Sequence, residues 1–490
     1  MTPVDSQFTV PLFIAVGGIA VYFIGKGLPS ALRKWIGLIT ALWLLVAFYL
    51  FFSMISEHSV SFSLSFIGLT GGLLITGIGA VAAWASQGSL DENGPLHLYY
   101  PLLLFAIAGA VAVGFATDLF TIFVMVELSA IPVYALCAYQ YRDDPSALPA
   151  AIKYLLQGVV GTISALLGVA ILYLVGHTLT LSELPQALAG ANPALILVAV
   201  ILLVLGYGVK LGIFPLHTWL PDAYAKAPVG VTATMVGATK AGVLIALFLS
   251  LSALPVSVVV PGYLGIIITF FAVITMTAGN LLALNQTDLR YILSYSSIAQ
   301  MGYILLGFGI GLVYNLPLGF IAGLYYAIAY SIMKSGAFLT ADAFARNAGS
   351  FTVAKMQGLG ARNPVLGIAF LIFVMGLIGV PFTCGFNGKM LLEEAGMVTS
   401  MMSGVILALV LALNSAISLG YYVPVLSTLL FRGKGPGTPP LTEETTKKIP
   451  VSIVSAVVCL AIITIYLGLF PESFDWISHA ANQLFTWRGM

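Results

Sequence analysis

The sequence predicts an all-α protein that crosses a membrane many times. Of its 490 residues, 60% are hydrophobic and only 8% are charged, whereas charged residues make up roughly 25% of an ordinary soluble domain. Apolar runs of about 20 residues, the length that spans the hydrocarbon core of a bilayer, recur from one end of the chain to the other. We therefore exclude a water-soluble fold and expect one membrane domain surrounded by lipid, with no nucleic-acid partner.

Hydropathy and turn residues predict fourteen transmembrane helices. The expected helices lie near 8–25, 35–55, 66–86, 98–116, 119–140, 151–175, 195–224, 228–251, 260–284, 291–313, 317–344, 364–395, 402–430 and 450–470. The first helix follows an acidic, proline-containing start and has no basic segment before it or small-residue cleavage site, so we expect it to be retained.

The basic residues predict how these helices are oriented. With fourteen helices, thirteen of the 19 Lys and Arg residues fall in odd-numbered loops and none falls in an even-numbered loop. Cytoplasmic loops carry an excess of Lys and Arg, so we expect both termini on the non-cytoplasmic side of the cell membrane. An error of one in the number of predicted helices would destroy this pattern.

Two predicted helices are interrupted in mid-membrane. Predicted helix 7 contains Gly212 and Pro215, and predicted helix 12 contains Gly379 and Pro381. Such residues free backbone polar groups that lipid cannot satisfy, so the interruptions must face protein or water. They lie five helices apart, which predicts two five-helix repeats of inverted topology, helices 4–8 and 9–13.

These repeats predict how the chain is divided. The expected segments are 1–97 with helices 1–3, 98–251 with the first repeat, 260–430 with the second, and 431–490 with a basic cytoplasmic loop and the last helix.

Four charged residues inside apolar helices are the first candidates for function: Glu127, Lys210, Lys240 and Lys389. An ionised carboxylate at the centre of a membrane helix costs roughly 2.5–3.5 kcal/mol, so Glu127 should have a cation beside it. A buried lysine can lose its proton and keep it again when a carboxylate is near, and this exchange is the chemistry of a proton relay.

Lys153, His217 and Lys334 are possible further members of the relay. Lys153 could instead extend to the cytoplasmic surface, and His217 could only satisfy carbonyls freed by the interruption. Lys389 has Glu393 four residues later, and that pair could simply neutralise it. The three cysteines show no metal-ligand spacing, so we expect no metal, redox centre or cofactor in this chain.

Several long motifs occur in an order that resembles a known family. VKLGIFPLHTWLPDAYAKAPV begins at Val209 and is followed by Lys240, DLFTIFVMVE ends at Glu127, DLRYILSYSSIAQMG begins at Asp288, and GFNGK ends at Lys389. From about residue 98 to 430, the chain resembles the antiporter-like subunits of respiratory complex I, most of all the subunit nearest the quinone-side arm. It also resembles sister subunits of membrane-bound hydrogenases, archaeal dehydrogenases and Mrp-type sodium/proton antiporters.

The resemblance implies a proton-translocating subunit of a multisubunit, redox-driven pump of the NADH, F420H2 or ferredoxin:quinone type or of the hydrogenase type. Its partners would be related antiporter-like subunits and a quinone-arm or hydrogenase-arm module, with iron-sulfur clusters and other redox centres in partner subunits. Glu127 and Lys210 would form the input pair, Lys240 the central relay and Lys389 the exit, with Lys153, His217 and Lys334 as possible links. Two alternatives stay open at this point, a subunit of an Mrp-type sodium/proton antiporter and a structural scaffold with inert ion pairs.

Overall fold

The computed structural model describes residues 8–57, 65–92, 94–254, 263–399, 401–431 and 449–474. Within these ranges nearly every residue is helical or in a turn, and the extended backbone is limited to two isolated β-bridges. The all-α class is therefore confirmed.

The fourteen predicted regions each contain a helix, and two of them contain a broken pair. The helices are α1 Thr9–Gly27, α2 Ile36–Glu57, α3 Ser65–Ser89, α4 Leu96–Val113, α5 Leu119–Cys137, α6 Ala147–Gly176, α7a Pro193–Leu211, α7b Leu220–Lys226, α8 Val229–Ser252, α9 Tyr263–Leu284, α10 Leu289–Tyr314, α11 Pro317–Ala348, α12a Pro364–Ile378, α12b Cys384–Thr399, α13 Met401–Leu430 and α14 Val451–Leu469.

Twelve helices in the described part of the chain are long and apolar enough to cross a membrane, or up to 13 spans if one bent pair is included. That pair joins Val353–Arg362 to α12a at an angle of 116°. The chain is therefore a polytopic membrane protein, and the count of fourteen crossings stays a prediction. The side of the membrane on which the termini lie also stays a prediction.

The helices differ strongly in how much of their surface is covered by protein. α8 and α10 are almost wholly buried among the other helices, whereas no more than one third of α2, α6 and α13 is buried and the rest faces outward wholly or in part. Apolar side chains cover these outer faces, as expected of surfaces that contact lipid. Lys240, on α8, is therefore enclosed by other helices of the protein.

The two predicted repeats begin with the same local structure. Asp118 accepts a hydrogen bond from the Thr121 N–H at the start of α5, and Asp288 caps the start of α10 in the same way. Each aspartate also lies in an isolated antiparallel bridge, Asp118 with Thr180 and Asp288 with Thr352. These matched features agree with a repeat, although the repeat relation and the segment boundaries stay predictions.

Both predicted interruptions are present. α7a ends before Gly212, whose φ of 76° is left-handed, and the Ile213 N–H donates to the Gly208 carbonyl. α12a ends before Gly379, with φ 97°, and the Gly379 N–H donates to the Met375 carbonyl. Glycine adopts this conformation without the steric strain of a Cβ, which explains why each helix stops where it does.

Candidate functional site

The first buried charges form an ion pair. Lys210 Nζ lies 2.8 Å from Glu127 Oε1, and the two side chains are 5% and 19% exposed. Thr162 donates a hydrogen bond of 2.7 Å to Glu127 Oε1, and Lys210 donates one of 3.4 Å to the Tyr134 hydroxyl. The carboxylate therefore has the cation that its burial requires.

The helix interruption positions Lys210. This lysine is in the last turn of α7a, where the unpaired carbonyls of a helix end favour a cation. One carbonyl of that turn, from Val209, accepts a hydrogen bond of 2.7 Å from the Trp219 indole. The Trp219 ring stacks on Tyr154 of α6 with centroids 4.0 Å apart. The segment between α7a and α7b thus holds the end of α7a against α6.

A small cavity joins this ion pair to the middle of the protein. Its volume is about 20 Å³, and its walls include Lys210, Ser129, Tyr154, Thr239 and Lys240. A water molecule needs about 10–15 Å³ and two or more polar partners, so the cavity has room for about one water between the two lysines.

Lys240 is 2% exposed and lies where the backbone of α8 changes its hydrogen-bond pattern. The π-helical turn Met235–Thr239 comes directly before it. Its Nζ lies 3.5 Å from the Tyr330 hydroxyl and over the rings of Tyr224 and Tyr330, at 5.2 and 5.7 Å from their centroids. Within the described residues no ion pair includes Lys240. Its ammonium group is therefore surrounded by aromatic and hydroxyl groups.

A close approach of two helices brings Lys240 to α11. A Cβ at Gly237 would lie only 2.5 Å from the Ser335 hydroxyl oxygen, so a larger residue would push α8 away. Ser335 also donates a hydrogen bond of 3.1 Å to the Ala233 carbonyl on α8. The contact between α8 and α11 thus depends on a small residue at this point.

Lys334, on α11, is completely buried. It donates a short hydrogen bond to the Ser296 hydroxyl on α10 and one of 3.2 Å to the Tyr422 hydroxyl on α13. The Tyr422 hydroxyl in turn donates to Ser296 over 3.0 Å. Nothing in the sequence had predicted the lysine partners Ser296, Tyr422 and Tyr330.

Lys389 has a structural role that the sequence analysis did not consider. Its Nζ donates to the carbonyl of Ile378 at 2.6 Å and to the Ser415 hydroxyl at 2.8 Å, and it lies 4.4 Å from the centre of the Tyr303 ring. It therefore satisfies a carbonyl freed at the end of α12a. The four ion pairs found among the described residues do not include a pair with Glu393.

The remaining two candidates lie nearer to the interruption in the first repeat. Lys153 pairs with Asp222 at 2.7 Å, and both side chains are more than one third exposed. The Tyr291 hydroxyl also donates to Asp222, at 3.3 Å. His217 is buried between α7a and α7b, with its ring against Phe214 at 5.2 Å between centroids. The structure thus places Lys153 at the edge of the buried site and His217 in the interrupted segment.

In the part of the chain that the structure describes, no cluster of three or more His, Cys, Asp or Glu side chains could hold a metal ion. The expected lack of a cofactor in this chain stays a prediction.

The fold and site define the class: a polytopic membrane protein whose described residues include a largely buried Glu–Lys ion pair and three further buried lysines in its helices. The family model described as NADH:quinone oxidoreductase/Mrp antiporter, TM, matches residues 116–415, more than half of the chain. The chain belongs to this family, and the resemblance found in its sequence motifs is confirmed.

Three comparisons show how this chain relates to individual proteins. It is 33% identical to NADH-quinone oxidoreductase subunit N 1 of Sorangium cellulosum over 408 residues, which cover 81% of this chain and 78% of that protein. It is 31% identical to F(420)H(2) dehydrogenase subunit N of Methanosarcina mazei over 417 residues, covering 82% and 80%. Its fold is similar to a chain of the Mrp complex from Dietzia sp. DQ12-45-1b, with a TM-score of 0.85, 20% identity, and coverage of 99% and 98%.

Proposed function

We propose that this chain is the proton-translocating, antiporter-like subunit of a multisubunit, redox-driven ion pump in the cell membrane. The observation that carries the proposal is the buried Glu127–Lys210 ion pair with a cavity that leads from Lys210 to Lys240. A fold that needed only apolar helices would not keep these groups away from water, because isolated charges in a membrane interior are costly.

In this proposal the ion pair is the input and Lys240 the centre of the relay. Glu127 stabilises the proton on Lys210, and a change in that contact releases the proton towards Lys240 through the cavity. Each proton that moves changes the field at the next group, since charges interact strongly in a medium of low polarity. Lys389 would be the exit group, and Lys334, His217 and Lys153 would be links.

Electron transfer in partner subunits would drive this relay. The two relatives with more than 30% identity are named as subunits of an NADH-quinone oxidoreductase and of an F(420)H(2) dehydrogenase, which supports membrane partners and a redox-linked role. The iron-sulfur clusters would lie in those partners, together with a quinone-arm or hydrogenase-arm module and related antiporter-like subunits. We further propose that both termini face the non-cytoplasmic side, because the basic loops then face the cytoplasm.

The test measures proton movement in the complete complex. The complex is purified from native membranes, reconstituted in liposomes and supplied with whichever of NADH, F420H2 or reduced ferredoxin it oxidises. Proton uptake is followed with a pH-sensitive dye and divided by the amount of assembled complex. We expect Glu127→Gln and Lys240→Met to lower proton uptake at least tenfold, because a positioned proton-transfer group contributes about 10²–10⁴-fold.

Lys226 provides the matched control. It also forms a lysine–carboxylate pair, with Asp144 at 3.1 Å, but both side chains are partly exposed near the ends of the helices. We expect Lys226→Met to pump within about twofold of the unsubstituted complex, because an exposed pair contributes at most about 1 kcal/mol. Full pumping by both Glu127→Gln and Lys240→Met would contradict the relay.

A second candidate function is sodium/proton exchange driven by an ion gradient. The similarity of the fold to the Mrp complex chain favours it. Proteoliposomes given an inside-acid pH gradient, with no electron donor, would then take up radioactive sodium. Proton pumping that starts on addition of the donor and proceeds without sodium supports the redox-driven function instead. An inert scaffold would show normal ion movement per assembled complex in every charge-neutralising variant.

A further inference from the structure

Two lysines beyond the Glu127–Lys210 pair have hydroxyl groups as their contacts. Lys240 contacts the Tyr330 hydroxyl, and Lys334 contacts the hydroxyls of Ser296 and Tyr422. Neither lysine belongs to any of the ion pairs found among the described residues. A route from Lys240 to Lys334 therefore has to use groups that carry no charge of their own.

Tyr330 lies between the two lysines in the fold. It precedes Lys334 by four residues on α11, so both side chains leave the same face of that helix. Its hydroxyl lies 3.5 Å from Lys240 Nζ and is also a neighbour of the Ser297 hydroxyl. Ser297 directly follows Ser296, the partner of Lys334, on α10. We call Tyr330, Ser296, Ser297 and Tyr422 the hydroxyl cluster.

We propose that Tyr330 receives the proton from Lys240 and that the hydroxyl cluster delivers a proton to Lys334. This inference rests on the proposed function and adds the residues that connect its central and exit parts.

The proton balance of this step is simple. The ammonium of Lys240 gives one proton to the Tyr330 oxygen as the Tyr330 hydroxyl gives its own proton to Ser297, and Ser297 passes its proton on to Ser296. Both serine hydroxyls donate to the Leu293 carbonyl and therefore lie close together. The last hydroxyl, Ser296, gives its proton to the neutral amine of Lys334 and receives one in exchange. Lys240 has then lost one proton, Lys334 has gained one, and no hydroxyl is left ionised. The hydroxyls return to their first orientation by rotation, since a hydroxyl both donates and accepts.

Two features of the surroundings support a hop of this kind. The rings of Tyr330 and Tyr422 lie against the ammonium groups of Lys240 and Lys334, with centroids 5.7 and 5.8 Å away, so each lysine can hold a proton without a carboxylate. Two protonated lysines this deep in the protein also repel each other, which favours a single proton that moves between them.

Tyr330→Phe is the direct test, because it removes only the hydroxyl and keeps the ring against Lys240. In the reconstituted complex we expect proton uptake per assembled complex to fall at least tenfold. The residual rate should also slow more in D2O than the normal rate does, because proton transfer becomes limiting.

Tyr326→Phe is the matched control. Tyr326 is one turn earlier on α11 and fully buried, but its hydroxyl donates to the amide oxygen of Gln300 and not to a member of the relay. We expect its proton uptake per assembled complex to stay within about twofold of normal, with an unchanged D2O effect. An equal loss in both variants, with no change in the D2O effect, would overturn the assignment of Tyr330, because the loss would then come from altered packing.

Lys240→Met separates this inference from the proposed function. Loss of pumping in Lys240→Met together with normal pumping in Tyr330→Phe would overturn the role of Tyr330 and leave the proposed function in place. Normal pumping in Lys240→Met and Glu127→Gln would overturn the proposed function itself. If the complex with Tyr330→Phe does not assemble, proton uptake is measured with Ser296→Ala instead, because this substitution removes the hydroxyl that contacts Lys334. A tenfold loss with a larger D2O effect supports the route, and normal pumping overturns it.

Discussion

Lys210→Met should destabilise the protein more than the double substitution Glu127→Gln with Lys210→Met. The two charges lie 2.8 Å apart, and their attraction is about 6 kcal/mol at an effective dielectric constant of about 20. Most of this attraction offsets the loss of hydration of the two groups, so the pair as a whole adds little stability. Removal of one partner leaves a buried charge alone, and this costs about 3–5 kcal/mol.

The double variant has no charge at this site and should therefore regain most of that loss. The assay is the unfolding of the purified chain in mixed micelles with increasing denaturing detergent, for the unsubstituted chain, both single variants and the double variant. We expect a coupling energy of about 2–4 kcal/mol from this cycle. Additive losses, with the double variant as unstable as the sum of the singles, would refute the idea that the ion pair is one energetic unit.

Three other substitutions have expected effects on stability, the first two in the same unfolding assay and the third in thermal melts. Lys389→Met should destabilise the chain by about 1–3 kcal/mol, because it leaves carbonyls at the end of α12a without a donor; no change would contradict the capping contact. Gly212→Ala should cost at least about 1 kcal/mol, since alanine is strained at a φ of 76°, and a neutral result would show that the turn relaxes. A hydrogen bond from Ser146, followed by the contact with Lys226, lowers the pKa of Asp144 in the loop before α6. The stabilisation by Asp144 should thus be present at pH 7 and be lost as the pH falls below about 4, so thermal melts of Asp144→Asn and the unsubstituted chain should converge in acid.

The sequence predicted those parts of the structure that depend on strong local signals. Long apolar runs predict the positions of the helices, because few other backbone structures satisfy their own polar groups in lipid. The left-handed glycines mark both interruptions, since other residues are strained there. The burial of Glu127 predicted a cation beside it, but Lys210, Lys240 and Lys389 were equally available, and only the family resemblance singled out Lys210, which the structure places there.

The hydroxyl partners of the lysines could not be predicted in this way. Serine and tyrosine are common in membrane helices as packing residues. Ser296 and Tyr422 therefore cannot be recognised as partners of Lys334 until α10 and α13 are placed against α11. The carbonyls freed in α12a were expected, but the finding that Lys389 satisfies one of them depends on how α12b folds back. The π-helical turn before Lys240 also has no clear mark in the sequence, although such turns are frequent at functional sites.

The aromatic surroundings of Lys240 have a consequence for electrical neutrality. In the proposed relay, a Lys210 that gave up its proton would leave the negative charge of Glu127 without its cation. Lys240 lies between the rings of Tyr224 and Tyr330, which attract a cation but have no net charge. Loss of its proton therefore leaves no uncompensated anion behind. In the proposed relay, Lys240 can therefore hold or release a proton without separating it from a fixed negative charge.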